Sequence, residues 1–185
     1  MRIFRVSALP RSGTAWASTM FNLSPGVLCS HEMIADPGIP DVEDELAARL
    51  KDFTHVGDCC STYTDPRRDG LVGNKAWIDR PESECRIATE LSLRTSICDP
   101  VWQGLLDQRD IWIEENDPFI IHFDDLFTLE GARKLWQYCV GPGFPEEKVK
   151  TLLGLRVQKT SLKNYDSGSI EAKLNSKWEP QPPQQ

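Results

Sequence analysis

The chain has 185 residues, of which 39% are hydrophobic and 26% are charged, and its formal net charge is −7. This length and composition suit one globular domain with a core of its own. The negative charge argues against a protein that coats nucleic acid, because binding many phosphates takes a basic surface; a few arginines in one cleft suffice for a small anion.

Strand and helix patterns alternate along the chain. The predicted elements are, in order, a strand at 3–9, a turn at 10–13, a helix at 14–23, a strand at 27–30, a helix at 41–53, an irregular loop at 59–70, a strand at 71–78, helices at 82–97 and 100–115, a strand at 119–123, a helix at 128–140, and a last helix that Pro145 opens and Gly154 ends. This alternation predicts an α/β fold of three layers, with helices flanking a mainly parallel central sheet.

One domain is predicted over residues 1–165, followed by a polar tail over 166–185 that we expect to be partly disordered. No stretch approaches the ~18 apolar residues of a membrane span. Pro10 and Arg11 interrupt any apolar signal run at the N-terminus. We therefore expect a cytoplasmic protein with no membrane partner and no nucleic-acid partner.

The spacing of the six cysteines argues against a zinc site, because none of them forms a C-x-x-C pair. The chain is neither small nor dense in cysteine. We therefore expect reduced thiols rather than disulfides.

Residues 7–16 form the strongest local motif, since they join the first predicted strand to the first predicted helix. At such a helix N-terminus, backbone N–H groups converge on one point and bind phosphate. Gly13 lets the backbone approach a ligand closely, and Arg11 adds a fork of charged donors. Ser12 and Thr14 add hydroxyl donors. The motif predicts a P-loop-like protein that binds a phosphate-bearing nucleotide.

This loop departs from the nucleoside-triphosphate loop G-x-x-x-x-G-K-[ST]. When Gly13 is aligned with the second glycine, Ala8 stands at the first. Thr14 replaces the lysine that binds the β- and γ-phosphates, and Ala15 replaces the hydroxyl residue that binds magnesium. These differences disfavour a magnesium-dependent ATPase or kinase.

Three segments together resemble the sulfotransferase family. Residues 10–16, with the sequence PRSGTAW, look like that family's 5′-phosphosulfate loop, P-[KR]-S-G-T-T-W. Residues 120–126, IIHFDDL, are similar to its late strand ending in Tyr-Glu-Asp-Leu, and residues 78–81, IDRP, are similar to its Arg-Asp/Asn-Pro segment. The resemblance spans roughly residues 3–155.

The resemblance implies that 3′-phosphoadenosine 5′-phosphosulfate is the donor and that a hydroxyl or amine accepts its sulfuryl group, with no metal. It also implies a small-molecule or saccharide acceptor. As the sulfuryl group leaves, negative charge builds on the 5′-phosphate, and Arg11 with the loop amides would stabilise that charge. The residues expected to contact the donor are Pro10, Arg11, Ser12, Gly13, Thr14, Ala15, Trp16, Arg80 and Thr89.

The segment that binds the 3′-phosphate in the family is altered in this chain. The family uses an arginine before the Asp/Asn-Pro pair and a serine eight residues further on. Here the order is Asp-Arg-Pro, and the position eight residues after Arg80 holds Ala88. Arg80 is the preferred ligand of this phosphate; Ser83, Arg86 and Thr89 are nearby substitutes.

Sulfuryl transfer to a hydroxyl needs a general base. His31 and Glu32 follow the second predicted strand, and the carboxyl ends of parallel strands line the ligand crevice. Glu32 is the first candidate, although its ordinary pKa of about 4.3 would have to rise. His31 is the second candidate. Glu32 could instead orient the loop.

Other side chains have less specific interpretations. His122 is expected to be a hydrogen-bonded core residue, and His55 to end a helix. Asp58 is expected in a turn, with acceptor contact as the alternative. Trp77 is expected in the core, with stacking on adenine as the alternative.

Two other functions remain open at this point. One is a nucleotide or nucleoside-phosphate kinase with a degenerate P-loop, and the other is a non-catalytic descendant that binds a nucleotide or a protein. The identity of the acceptor and the oligomeric state do not follow from the sequence.

Overall fold

The computed structural model of the protein describes residues 2–33, 42–61 and 73–154. The predicted tail over 166–185 lies outside these residues, as do the predicted end of the domain and most of the predicted loop over 59–70. Within the described ranges, no helix is both long enough and apolar enough to cross a membrane.

The described strands form one sheet in which every neighbouring pair is parallel. They are β1 (Ile3–Ala8), β2 (Val27–His31), β3 (His55–Cys60), β4 (Asn74–Asp79) and β5 (Phe119–His122). Their order across the sheet is β2-β3-β1-β4-β5, so β1 is central. The predicted parallel α/β architecture is confirmed.

Helices cover both faces of this sheet. In the described ranges they are α1 (Thr14–Phe21), α2 (Val42–Arg49), α3 (Glu82–Leu93), α4 (Asp99–Asn116), α5 (Phe123–Leu126), α6 (Leu129–Cys139) and α7 (Glu146–Leu153). The chain crosses the sheet in one direction from β1 to β2 and in the other from β2 to β5. Because such crossovers are right-handed, α1 lies on the opposite face from α2, α3 and α4.

Each face of the sheet has an apolar core of its own. On one face, Phe4 and Val6 of β1 pack with side chains of α1, α6 and α7. On the other face, Leu46 of α2 packs over β2 and β3, and Trp77 of β4 packs with α3 and α4. The three predicted layers are therefore present.

The neighbouring strands β1 and β4 lead to helices on opposite faces. In an open parallel sheet, this arrangement leaves a crevice outside the carboxyl ends of the two strands, where ligands bind. The chain leaves β1 through the predicted phosphate loop and leaves β4 at Asp79, immediately before Arg80. The topology therefore brings both motifs to the same crevice.

Strand β3 was not predicted, because Gly57 and Asp58 interrupt its apolar pattern. In the sheet, both residues have a reason to be there. A Cβ atom at Gly57 would lie 2.4 Å from Cε2 of Phe4 on β1, so the position has no room for a side chain. Asp58 is fully buried and lies beside Arg5 in the strand register. The expectations that His55 ends a helix and that Asp58 lies in a turn are therefore wrong.

The expectation that His122 is a core residue is also wrong. Strand β5 is at the edge of the sheet, and the His122 side chain is 74% exposed, with Nδ1 3.4 Å from Oδ2 of Asp79.

Local sequence signals at helix ends predicted the structure correctly. Thr128 caps α6 by accepting a hydrogen bond from the N–H of Gly131, and α7 runs between Pro145 and Gly154 as predicted.

Candidate functional site

The loop between β1 and α1 has a backbone shaped to hold an anion. Arg11 and Gly13 adopt left-handed conformations, with φ of 67° and 86°, on either side of Ser12. In the described part of the chain, no hydrogen bond is formed by the backbone N–H groups of residues 11–16; the first is from Ala17 to the carbonyl of Gly13. Free N–H groups in such a turn, at a helix N-terminus, form a concave anion site.

The packed fold gives a further reason for glycine at position 13. A Cβ atom there would lie 3.0 Å from Cδ2 of Leu126 and 3.3 Å from Cζ of Phe127. The α-carbon of Gly13 thus packs against α5 and the residue after it. Glycine lets the loop adopt its positive φ and lets α5 pack closely against it.

The hydroxyl groups of the loop are bonded to protein groups. Ser12 is fully buried, with its Oγ 3.2 Å from Sγ of Cys85. Thr14 is also buried, with its Oγ1 3.2 Å from Nε2 of His31. These two residues therefore offer the ligand their backbone N–H groups, and the expectation that their hydroxyls point at it is not supported.

The remaining predicted loop contacts differ in exposure. Arg11 is exposed, Pro10 and Ala15 are half-buried, and Trp16 is buried in the core. The ring of Trp16 packs edge-on against Phe127 with centroids 5.3 Å apart. Trp16 can therefore offer a ligand its backbone N–H but not its indole ring. Arg11 is the loop side chain best placed to reach an anion.

A cavity of about 440–470 Å³ lies on each side of Arg80, at the carboxyl edge of the sheet. The loop cavity is lined by Arg11, Arg80, Ala88, Leu91, Ser92 and Phe123. The β5 cavity shares Arg80 and Phe123 with it and is also lined by carboxylates, including Asp79 and Asp124. Each of the two cavities is lined by two arginines, since Arg109 joins Arg80 in the β5 cavity, but the described residues that line the loop cavity include no carboxylate. This difference favours an anion in the loop cavity.

Of the residues expected at the 3′-phosphate, Arg80 lines the loop cavity but Thr89 does not. Thr89 is buried, and its hydroxyl donates to the carbonyl of Cys85 within α3. The substitute Arg86 binds the carbonyl of Ile97 and the carboxylate of Asp99. Neither residue is therefore available for a phosphate in the loop cavity.

Ser92 is a functional candidate that the sequence analysis missed. It lines the loop cavity together with Ala88, the residue at the family's serine position. Positions 88 and 92 are one helical turn apart, so they lie on the same face of α3. A search for hydroxyl residues at i+4 from Ala88 would have found it.

His31 and Glu32 meet the loop from the side of β2. Nε2 of His31 lies 3.2 Å from Thr14 Oγ1 and 3.6 Å from Oε1 of Glu32. Glu32 has a left-handed backbone with φ of 63°, and its Oε1 accepts hydrogen bonds from the N–H and the hydroxyl of Ser61 at 3.0 and 2.6 Å. Thr14, His31, Glu32 and Ser61 therefore form one connected chain of polar groups.

Two alternatives for other residues are excluded by burial. Trp77 is 1% exposed and packs against Trp112 with ring centroids 5.6 Å apart, so it cannot stack on a nucleotide base. Asp58 is fully buried and accepts a hydrogen bond from the N–H of Met33. It therefore supports the connection after β2 rather than contacting an acceptor.

Burial lowers the pKa of His31, and the charge of Glu32 only partly opposes this effect. The ordinary pKa of histidine is about 6.5. His31 is therefore neutral at pH 7, and one of its ring nitrogens can accept a proton.

The lowered pKa predicts a pH dependence of stability. As the pH falls below about 6.5, the unfolded chain takes up a proton at His31 before the folded protein does, so the free energy of unfolding decreases. The contribution is complete above this value and is lost towards the lower pKa of the folded state. We expect His31→Asn to lose less stability than the wild type between pH 7.5 and 5.5, measured by urea unfolding. Identical losses in the two proteins would contradict this prediction.

Comparisons of the chain with protein-family models, with curated proteins and with solved structures found no match. The function must therefore be inferred from the motifs and from the geometry of the site.

Proposed function

We propose that the protein is a sulfotransferase that holds 3′-phosphoadenosine 5′-phosphosulfate on the loop between β1 and α1. The observation that carries the proposal is the row of free N–H groups over residues 11–16, curved by the left-handed Arg11 and Gly13 and bordered by the loop cavity. These groups bind the 5′-phosphate. Transfer of the sulfuryl group leaves a charged phosphate, and fixed N–H dipoles stabilise that charge as it develops.

The donor's second phosphate is assigned to the loop cavity. Arg11 brings an exposed guanidinium group to this cavity, and Ser92 adds a hydroxyl. Charge-assisted hydrogen bonds to such groups are strong, and guanidinium matches phosphate geometry well. This assignment replaces Thr89 with Ser92.

The base is assigned to the pair formed by His31 and Glu32. The hydroxyl of Thr14, the first residue of α1, holds His31 in place, and the burial of His31 favours the neutral imidazole. With the ring proton on Nε2, facing Glu32, Nδ1 carries the lone pair that takes the acceptor's proton. The acceptor oxygen then bonds to sulfur as the bond from sulfur to the bridging phosphate oxygen breaks.

Kinase chemistry is the less favoured candidate. Thr14 and Ala15 occupy the positions of the lysine and the magnesium-binding hydroxyl. The hydroxyl of Thr14 is bonded to His31, so it does not replace the missing magnesium-binding hydroxyl.

The cytoplasmic location expected from the sequence stays a prediction.

Replacing Arg11 by alanine should weaken binding of 3′-phosphoadenosine 5′-phosphate by about 1.5–3 kcal/mol, the range for hydrogen bonds to charged groups. The reason is that Arg11 is exposed beside the free N–H groups. Isothermal calorimetry measures the loss of affinity. Adenosine 5′-monophosphate and ATP–magnesium are titrated separately as alternative ligands.

Arg94→Ala is the matched control, because Arg94 is also an exposed arginine with a positive φ, of 55°, but lies at the end of α3. It should leave the affinity unchanged. Unchanged affinity in Arg11→Ala would remove Arg11 from the site. Tight binding of ATP–magnesium without binding of the bisphosphate would overturn the sulfotransferase proposal.

A further inference from the structure

Arg80 has specific protein partners in addition to lining the loop cavity. Its Nη1 donates a hydrogen bond of 2.6 Å to the carbonyl oxygen of Arg11, and its Nε donates one of 3.1 Å to Oε2 of Glu84. Its guanidinium lies over the ring of Phe123, 4.2 Å from the centroid. The Arg80 side chain is only 17% exposed. These contacts fix its position before any ligand arrives.

The carbonyl that Arg80 holds belongs to a strained residue. Arg11 has a φ of 67°, a conformation that costs a non-glycine residue free energy and persists where neighbouring contacts enforce it. The hydrogen bond from Arg80 is such a contact. It joins the end of β4 to the middle of the loop.

The geometry of the peptide bond makes this contact relevant to phosphate binding. The carbonyl of Arg11 and the N–H of Ser12 belong to one planar trans peptide, so they point in opposite directions. Holding the carbonyl against Arg80 therefore fixes the N–H of Ser12 on the side away from Arg80, where it is one of the N–H groups of the loop that form no hydrogen bond within the described residues. A peptide that flipped here would present an oxygen to the anion instead.

A second contact holds the next residue from the same side. Oγ of Ser12 lies 3.2 Å from Sγ of Cys85, in the first turn of α3. Cys85 is fully buried, and its thiol also lies 3.8 Å from the carbonyl of Arg80. The junction of β4 and α3 thus contacts two successive loop residues, Arg11 through its carbonyl and Ser12 through its side chain.

We propose that Arg80 is a positioning residue, which sets the orientation of the Arg11–Ser12 peptide and so prepares the loop for a phosphate. This inference rests on the phosphate binding proposed above. It differs from the expectation that Arg80 reads the 3′-phosphate, since a positioning residue affects every ligand whose phosphate lies on the loop. The two roles predict different selectivity in the same variant.

The test measures affinity for three probes: inorganic phosphate, adenosine 5′-monophosphate and 3′-phosphoadenosine 5′-phosphate. Arg80→Ala should weaken all three by the same factor, about tenfold for the loss of one well-placed N–H group. Arg80→Lys should recover only part of the affinity, because an ammonium group can donate to the Arg11 carbonyl but cannot also reproduce the bond from Nε to Glu84 and the stacking of the guanidinium on Phe123. Arg86→Ala is the matched control, since Arg86 also binds a carbonyl and two carboxylates, but these belong to Ile97, Glu90 and Asp99 and not to the loop; it should lower thermal stability alone.

A ligand-free measurement separates this inference from the proposed function. In the unliganded protein, the amide resonances of Ser12 and Gly13 should show conformational exchange in Arg80→Ala and not in Arg86→Ala. A loss confined to the 3′-phosphorylated nucleotide would overturn the positioning role in favour of direct contact. Unchanged loop resonances in Arg80→Ala would also overturn the positioning role, and this outcome does not depend on ligand binding. Failure of the wild type to bind any of the three probes would count against the proposed function.

Discussion

Replacing Glu32 by glutamine is expected to lower turnover in the proposed sulfuryl transfer by up to about 10²–10⁴, the usual contribution of a general base, because His31 would lose the partner that stabilises its protonated form. The substitution keeps the shape of the side chain but removes the charge that faces Nε2 of His31 at 3.6 Å. It should leave nucleotide affinity nearly unchanged, because Glu32 contacts Ser61 and Cys60 rather than the loop N–H groups. Turnover is measured with labelled donor on a panel of phenols, sugars and amines.

His31→Asn, assayed in parallel, assigns the proton acceptor. Loss of turnover in both variants is the expected result, with His31 as the base and Glu32 as its partner. Activity that survives in His31→Asn but not in Glu32→Gln would move the base to Glu32. Glu45→Gln is a suitable control, because it removes a carboxylate that pairs with Arg49 on α2. Full activity in Glu32→Gln would contradict the role of the pair.

Replacing Gly13 by alanine should destabilise the protein by about 2–5 kcal/mol. About 1–2 kcal/mol of this comes from forcing a residue with a Cβ atom into the left-handed conformation, and about 1–3 kcal/mol from overpacking against Leu126, 3.0 Å from the new atom. We also expect binding of 3′-phosphoadenosine 5′-phosphate to be lost, because relief of the contact must move the loop. Urea unfolding and calorimetry measure the two effects.

Gly141→Ala separates the two contributions to this loss. Gly141 has a φ of 97°, and a Cβ atom there would have no neighbour within 4 Å. This variant should therefore lose only the backbone part, about 1–2 kcal/mol, and should bind nucleotide normally. Equal losses of stability in the two variants would show that the contact with α5 adds nothing.

Local sequence signals were reliable where short-range forces decide the structure. The strand, turn and helix around Gly13 were predicted nearly to their observed ends. A left-handed turn before a helix favours glycine, so its position can be read from the sequence alone. The ends of α6 and α7 at Thr128, Pro145 and Gly154 were predicted for the same reason. The alternation of these elements was enough to predict a parallel sheet covered on both faces.

The failures share a dependence on residues distant in the chain. Strand β3 has no apolar alternation of its own, since Gly57 is there to accommodate Phe4, 53 positions earlier in the chain. His122 follows two apolar residues, and only the position of β5 at the sheet edge leaves it exposed. Periodicity carries no information about which strand becomes an edge.

The candidate site divides along the same line. The residue types around Gly13 were sufficient to predict a tight turn that leads into a helix N-terminus, where the backbone N–H groups have no helical partner. That these groups bind a phosphate stays a prediction. The directions of the side chains depended on the packed fold. Ser12 turns to Cys85 and Thr14 to His31, while Arg80 reaches back to the carbonyl of Arg11. Those contacts join elements 17 to 73 residues apart, and they form only because the sheet brings the carboxyl ends of β1, β2 and β4 to one edge.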